Sequence, residues 1–311
     1  MNKNSKIYIA GHRGLVGSAI RREFEKKGYT NLIYKTHSEL DLCDGKKVAE
    51  FFETEKPDYV VQAAAKVGGI LGNNTYPVEF MLENLKIQNN IIENCYKNNV
   101  KKLLFLGSSC IYPRNTKQPM KEEYLLSDYL EKTNEGYALA KICGIKLCNY
   151  YNREYGTDYM SVMPCNLYGI NDNYHPQNAH VIPMLIRRFH EAKVEGLKEV
   201  TVWGTGKPRR EFLFADDLAE AVVFLMENKN ANDIGEFINI GSGYDMPISE
   251  IAQAVKETVG LEAELKYDTS KPDGTMLKLM DVSKMKALGW MSKTDLKEGL
   301  KIAYKDFLTR I

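Results

Sequence analysis

Tyr137-Ala-Leu-Ala-Lys141 sets a phenol and an ammonium four residues apart, a spacing that a helix turns onto one face. Tyrosine titrates near about 10, and a neighbouring ammonium favours the phenolate and lowers that value. Such a phenol can exchange a proton with a carbonyl or hydroxyl close to neutral pH. Ser108, in the run Gly107-Ser108-Ser109-Cys110, follows an apolar strand-like segment and can hydrogen-bond the same substrate oxygen. A phosphate cradle stands near the start of the chain, in Ala10-Gly11-His12-Arg13-Gly14-Leu15-Val16-Gly17. Between a strand and a helix, Gly11 permits the tight turn, Gly14 lets the backbone approach a pyrophosphate, and Gly17 lets helix and strand pack closely. The helix N-terminus then offers free N–H groups to the phosphates. Both motifs have plainer readings: Tyr-x-x-x-Lys recurs by chance, and a glycine turn can be merely tight.

Charge decides which dinucleotide such a turn prefers. An NAD site usually carries an acid at the end of the second strand, about 20 residues after the glycines. Here that strand ends Tyr34-Lys35-Thr36-His37, and Arg13 lies inside the turn. Cations where an acid would sit favour a 2′-phosphate, so NADP is expected over NAD unless Arg13 and Lys35 are simply solvated. Asp41 is a candidate adenine contact.

The elements that must hold these groups follow from periodicity. Strand patterns cover 6–10, 31–35, 59–62, 102–107 and 159–164. Between them lie helix patterns at 15–27, 46–55, 77–98 and 135–155, with Gly28 and Gly156 as stops, Asp44 as a cap and Pro77 in a first turn. Nearly all-apolar strands alternating with helices predict a doubly wound α/β domain with a parallel sheet. The carboxyl ends of its strands are where ligands bind. Residues 171–178 are polar and rich in turn formers. Shorter elements follow: helices near 181–192, 217–226 and 249–259, strands near 200–202, 211–214, 236–240 and 264–267, and two terminal helices. The helix from Tyr137 is apolar nearly all round, so it is buried on more than one side, by its own chain or by a second subunit.

Composition narrows the classes. The chain has 311 residues, a net charge of +1 and 44% hydrophobic residues, ordinary globular usage without the basic face of a nucleic-acid binder. No apolar run reaches the roughly 20 residues of a membrane helix, and the N-terminus carries no signal-peptide pattern. The six cysteines, Cys43, Cys95, Cys110, Cys143, Cys148 and Cys165, form no C-x-x-C pair. A reduced cytoplasmic protein without a metal site is expected.

Together these motifs resemble the extended short-chain dehydrogenase/reductase superfamily, as do Gln62-Ala-Ala-Ala65, Asn166-Leu-Tyr168-Gly169 and Arg210-Glu-Phe-Leu-Phe-Ala-Asp216-Asp217. Within it the chain is similar to the GDP-L-fucose synthase family, through IAGHRGLVGSAIRR, AAAKVGGILGNNTYP, KLLFLGSSCIYP, YALAKICGIKLC, NLYGINDNYHPQNAHVIP, VWGTGKPRREFL and SKPDGT. The resemblance implies 3,5-epimerisation of GDP-4-keto-6-deoxymannose and NADPH-dependent reduction at C4. It implies that Ser108, Tyr137 and Lys141 serve reduction and that Cys110 and His180 are the acid/base pair of epimerisation. It places NADP(H) against Gly11, Arg13, Gly14, Leu15, Val16, Gly17, His37, Asp41, Leu106, Ser108, Lys141, Pro164, Asn166, Leu167 and His180. It assigns Arg188, Trp203, Arg210, Asp273 and Lys278 to GDP. His37 departs from the family, whose members carry arginine there, which softens the NADP preference.

The resemblance also implies a homodimer and two interleaved domains. A Rossmann domain is expected over 1–165 and about 212–242, and a GDP-sugar domain over about 166–211 and 243–311. Rival readings are a nucleotide-sugar 4-epimerase, a 4,6-dehydratase and a non-catalytic NADP sensor. Ser109-Cys110-Ile111 stands where dehydratases place Asp-Glu, a simple 4-epimerase has no use for Cys110 with His180, and a sensor has no use for Tyr137 with Lys141.

Overall fold

The strand–helix alternation of the first half is present in the computed structural model, which describes residues 1–176, 179–271 and 273–311, apart from the Ile70 side chain. The turn-rich stretch at 171–178 and the SKPDGT run therefore extend, at 177, 178 and 272, outside the described residues. In chain order the first half comprises β1 (Ile7–Ala10), α1 (Leu15–Lys26), β2 (Leu32–Ile33), α2 (Gly45–Glu55), β3 (Tyr59–Gln62), α3 (Ile70–Thr75), α4 (Pro77–Lys97), β4 (Lys102–Leu106), α5 (Glu135–Tyr155) and β5 (Tyr159–Pro164). The second half comprises β6 (Asn166–Tyr168), α6 (Val181–Val194), β7 (Glu199–Trp203), β8 (Arg209–Arg210), β9 (Phe212–Phe214), α7 (Ala215–Asn228), α8 (Ala231–Ile234), β10 (Ile238–Ile240), β11 (Met246–Pro247), α9 (Ile248–Val259), β12 (Glu264–Asp268), β13 (Leu277–Lys278), α10 (Ser283–Ala287) and α11 (Leu296–Leu308).

Six parallel strands form one sheet in the order β10-β5-β4-β3-β1-β2. Chain direction across the sheet reverses between β1 and β3, the crevice where doubly wound sheets take ligands. Local signals fixed several ends. Asp44 accepts from the Lys46 and Lys47 amides, capping α2. Gly156 takes the left-handed conformation that stops α5. The second strand is shorter than expected, Leu32–Ile33 alone, because it is a half-buried edge strand paired only with β1.

Two apolar cores are present. The larger lies about the six-stranded sheet and includes Phe24, Phe52, Ile91, Phe105 and Val162. The smaller holds Tyr168, Leu185, Phe189, Ile251, Leu300 and Phe307. Met280, Met285 and Trp290 join the larger core, so the chain returns to the sheet after residue 243, through α10 packed on β10. Within one chain α5 packs against α4, β4 and β5, which buries Ala138, Ala140, Ile142, Ile145 and Cys148. Cys143, Tyr150 and Tyr155 stay exposed on its outer side.

Candidate active site

The glycine turn is closed to side chains at two of its three positions. Gly11 has φ +87°, and a Cβ there would lie 2.7 Å from the Ala64 amide nitrogen, at the end of β3. A Cβ on Gly17 would lie 2.1 Å from the Gly11 carbonyl oxygen. Gly14 is the N-cap of α1, and Ser18 N makes the first helical bond, 2.9 Å to Gly14 O. The amides of Leu15, Val16 and Gly17 thus precede the helical bonding pattern and can face an anion. Among the described residues His12 Nδ1, in the turn, and Gln62 Oε1, at the end of β3, are buried without a partner. A cradle that a Cβ would fill, flanked by orphaned polar atoms, fits the pyrophosphate of a dinucleotide.

The adenosine side is more mixed than the sequence implies. Arg13 is exposed at the turn. His37 is exposed and 3.9 Å from Asp41, whose carboxylate also accepts the Cys43 amide. Lys35 does not stand free beside Arg13; its ammonium is 3.8 Å from Glu55. An acid is present after all. Glu39 accepts from both the amide and the hydroxyl of Thr36, which hold its carboxyl below the usual range, with Lys35 and Arg13 adding to the effect. It escaped the sequence reading because β2 ends early and a turn, not a strand, carries the chain to it.

At the sheet's centre α5 lies down on β4. A Cβ on Gly144 would be 2.4 Å from the Phe105 ring, so only glycine allows this approach. Lys141 is thereby buried, and its Nζ donates to the Leu106 carbonyl at 2.8 Å. It stands 5.8 Å from the centre of the Tyr137 ring. Burial pulls the Lys141 pKa down to about 8. The expectation that Lys141 lowers the Tyr137 phenol is not met: burial dominates and raises it, Cys110 adds to the rise, and a hydrogen bond from Ser108 opposes it. The ammonium makes its bond to a carbonyl instead of the phenol.

Ser108 caps the short helical turn Ser109–Ile111, with Cys110 N 3.4 Å from its hydroxyl. Cys110 is buried within that turn. Burial raises its thiol, while Ser108, Lys278 and Lys141 draw it down, in that order. His180 is the N-cap residue of α6. It keeps an exposed edge, yet the protein packed around the ring desolvates it and lowers its pKa. Ser108, Cys110, Tyr137 and Lys141 are thus one cluster, and His180 stands apart from it in sequence, at the start of α6. Of the remaining cofactor candidates, Leu106 presents its carbonyl to Lys141, and Pro164 ends β5. Asn166 and Leu167 lie in β6, where the Asn166 amide donates 2.9 Å to Glu211 O.

Arg188 and Trp203 meet on the second core's surface. The Arg188 guanidinium lies 4.9 Å from the Trp203 ring centre and donates to Thr201 O at 2.9 Å. Trp203 is 44% exposed, which sets aside a core role. Asp273 binds the turn that follows Trp203: its two oxygens take the Thr205 amide and hydroxyl, each at 2.7 Å. Arg210 faces Asp273 across this turn and has its pKa lowered by burial. β13 runs parallel to β8 with Lys278 opposite Arg210, so both cations start from one edge. The sequence reading missed two residues here. Lys271 places its ammonium 5.7 Å from the Trp203 ring centre. Buried Glu211 accepts the Gly243 and Met280 amides at 2.7 and 2.9 Å, tying the strand that carries Lys278. The K-P-D-G neighbourhood signalled Lys271; nothing local signals Glu211.

Comparison with known proteins gives a consistent result. The model of the NAD dependent epimerase/dehydratase family matches residues 7–241. GDP-L-fucose synthase 1 of Arabidopsis thaliana is 56% identical over 310 residues, covering 100% of this chain and 95% of that protein. GDP-L-fucose synthase of Escherichia coli is 52% identical, covering 97% and 96%. A GDP-mannoheptose C4 reductase from Campylobacter jejuni, solved with NADP bound, superposes with a TM-score of 0.93 at 44% identity, covering 99% of each chain.

Proposed function

The chain belongs to the NAD dependent epimerase/dehydratase family, and on that footing we propose that it converts GDP-4-keto-6-deoxymannose to GDP-L-fucose by 3,5-epimerisation and reduction of the C4 ketone. The observation that carries the reading is the meeting of two sets of residues. Beside the Ser108–Cys110–Tyr137–Lys141 cluster at the sheet's carboxyl edge, Lys278 lies opposite Arg210 in paired strands, Arg210 faces Asp273, and Asp273 holds the turn that follows Trp203, the partner of Arg188. A sugar linked to a nucleoside diphosphate needs such a track, with acid/base groups at one end and cations beside an aromatic face at the other.

Inverting C3 or C5 beside a ketone requires removal of a proton from one face and delivery of another to the opposite face. Cys110 and His180 do this, since a thiol and an imidazole both titrate near neutrality once tuned. Ser108 and Tyr137 hydrogen-bond the C4 oxygen and stabilise the enolate that serves both inversions. Bound NADPH supplies the hydride for C4. Tyr137 then gives its proton to the C4 oxygen, with the Lys141 charge favouring the phenolate left behind. When the cofactor is bound, the amides of the glycine turn would hold its pyrophosphate and Arg13 its 2′-phosphate, and Leu106, Pro164, Asn166, Leu167 and His180 would serve its nicotinamide end. Arg188 and Arg210 hold the GDP phosphates, with Lys278 and Asp273 beside them, and Trp203 offers a face to the nucleotide.

In this reading 1–165 and about 212–242 serve the cofactor, and about 166–211 and 243–311 the GDP-sugar, although Met280, Met285 and Trp290 of the latter pack in the sheet's core. Two copies join through the outer faces of α4 and α5, where Tyr96, Tyr150 and Tyr155 are exposed. The setting is cytoplasmic, which keeps Cys110 reduced. The test is NADPH oxidation with GDP-4-keto-6-deoxymannose as substrate and identification of the sugar product. Substrate-dependent oxidation yielding GDP-L-fucose is expected. Oxidation yielding a reduced but unepimerised sugar would leave a C4 reductase only, and no oxidation would refute the proposal.

A further inference from the structure

We propose that Asn239 is a positioning residue for epimerisation, acting through Tyr112 to hold the turn that carries Cys110; this rests on the epimerase role given to Cys110. Asn239 lies in β10, the edge strand of the six-stranded sheet, and is wholly buried. Its side chain and its N–H are taken up by the chain between Tyr112 and Glu122 and by the segment after β13. The Tyr112 hydroxyl donates to Asn239 Oδ1 at 2.6 Å. Asn239 Nδ2 donates to Met120 O at 3.0 Å and to Asp281 O at 3.1 Å. Its backbone N–H, at an edge with no further strand, donates to Glu122 Oε1 at 3.1 Å. The chain that leaves the active-site turn at Tyr112 thus returns, at Met120 and Glu122, to the same residue. Met120 N also donates to Leu279 O, and Asp281 N to Met120 O, both at 2.8 Å, so the strand of Lys278 is kept in register with this loop.

The clamp bears on Cys110 because Tyr112 ends its turn. Tyr112 is the C-cap of Ser109–Ile111, with its amide 3.4 Å from Ser109 O, and Ile111 N donates to Ser108 O at 3.2 Å. The start of the turn is held independently. Gly107 N donates to Val162 O at 2.9 Å, which continues the pairing of β4 with β5. Ser108 adjoins that fixed end, while Cys110 lies toward the end that Tyr112 secures. A phenylalanine ring would fill the space of Tyr112, which is buried, but apolar contact alone tolerates sliding. A buried hydroxyl costs free energy unless it meets its partner, so the Tyr112–Asn239 bond selects one position for the end of the turn. Proton transfer at C3 and C5 is sensitive to that position, since the sulfur must meet the ring carbon within near-attack distance, and an error of about 1 Å can cost about 10²-fold.

The decisive experiment compares the full-length wild type with Tyr112→Phe, which removes one hydroxyl and keeps the ring. Solvent-deuterium incorporation at the ring carbons of GDP-4-keto-6-deoxymannose is expected to fall about tenfold or more, while the share of sugar reduced at C4 without inversion rises. Alkylation by iodoacetamide without substrate, followed peptide by peptide by mass spectrometry, is expected to quicken about fivefold at Cys110, and not at the buried controls Cys95 and Cys148. A merely structural loss lowers exchange and reduction together and quickens all three cysteines alike; that pattern overturns the inference, as does exchange at the wild-type rate. A fall in exchange with unaltered alkylation of Cys110 also overturns it, because the effect would not pass through the turn. Should Tyr112→Phe not fold, Asn239→Ser, too short to reach Tyr112, carries the same measurements. If the wild type itself neither exchanges deuterium nor forms GDP-L-fucose, the proposed reaction fails; selective quickening at Cys110 then leaves the clamp on the turn standing, and its absence removes both.

Discussion

Replacing Lys141 with methionine removes an ammonium from a place where burial opposes its charge. Lys141 is 4% exposed, and its pKa is lowered from 10.5 to about 8. The folded protein therefore gives up this proton at a lower pH than the unfolded chain does. Between the two values the unfolded chain binds more protons, so a rising pH stabilises the fold. At neutral pH both states are protonated and the cost of burying the charge is fully felt, about 3 kcal/mol at about 1.4 kcal/mol per unit. Integrating the proton difference from about pH 7 to about pH 9.5 gives ~2 kcal/mol recovered by the wild type. Lys141→Met lacks this contribution. The buried tyrosines act oppositely, since their raised pKa values destabilise the fold at high pH, but both proteins share them and subtraction removes them. Loss of the bond to Leu106 O lowers the variant's stability at every pH without bending its curve. Urea unfolding followed by circular dichroism, repeated across this range, measures both curves. The difference is expected to grow in favour of the wild type by ~2 kcal/mol. Parallel curves would refute the buried, easily discharged ammonium. They would also remove the accompanying expectation that turnover declines above about pH 8, as Lys141 loses the charge that supports the Tyr137 phenolate.

Three further outcomes follow from the same geometry. Gly17→Ala forces a Cβ to 2.1 Å from a backbone oxygen; an overpacking cost of about 1–3 kcal/mol is expected to weaken NADPH binding about tenfold or more, and a fluorescence titration matching wild type would contradict the cradle. Cys110→Ser is expected to slow deuterium uptake at the ring carbons by roughly 10²-fold or more, because a hydroxyl is a far weaker acid than a thiol; unchanged uptake by NMR would remove Cys110 from the epimerisation. Glu39→Gln takes an anion from the neighbourhood of Arg13 and is expected to raise the ratio of NADPH to NADH turnover; an unaltered ratio would place Glu39 away from the 2′-phosphate.

The parts of this site legible in the sequence are those written in short-range pattern. Tyr137 and Lys141 could be paired because four residues make one helical turn, and Gly11 with Gly17 because a strand-to-helix turn has few solutions. The six strands and the ends of α2 and α5 were likewise carried by alternation, Asp44 and Gly156. What could not be inferred was the environment each group enters. The phenol is raised rather than lowered because tertiary burial outweighs an ammonium that bonds a carbonyl instead. Lys35 pairs with Glu55 instead of standing free, and Glu39, to which the sequence reading gave no role, lies in the turn after an edge strand that ends early.

Residue types and local spacing were sufficient for a doubly wound sheet, a dinucleotide turn and a phenol–ammonium pair, since each is announced by a pattern within a few residues even where its strands pair across many. The resemblance then supplied candidates such as Cys110 and Lys278, but not their relation. Only packing joins their neighbourhoods: β13 joins β8 on one flank and the 118–120 segment on the other, the latter across about half of the chain. No periodicity encodes that junction, because it depends on which distant edges have backbone groups left to pair and on a buried carboxylate, Glu211, to hold them.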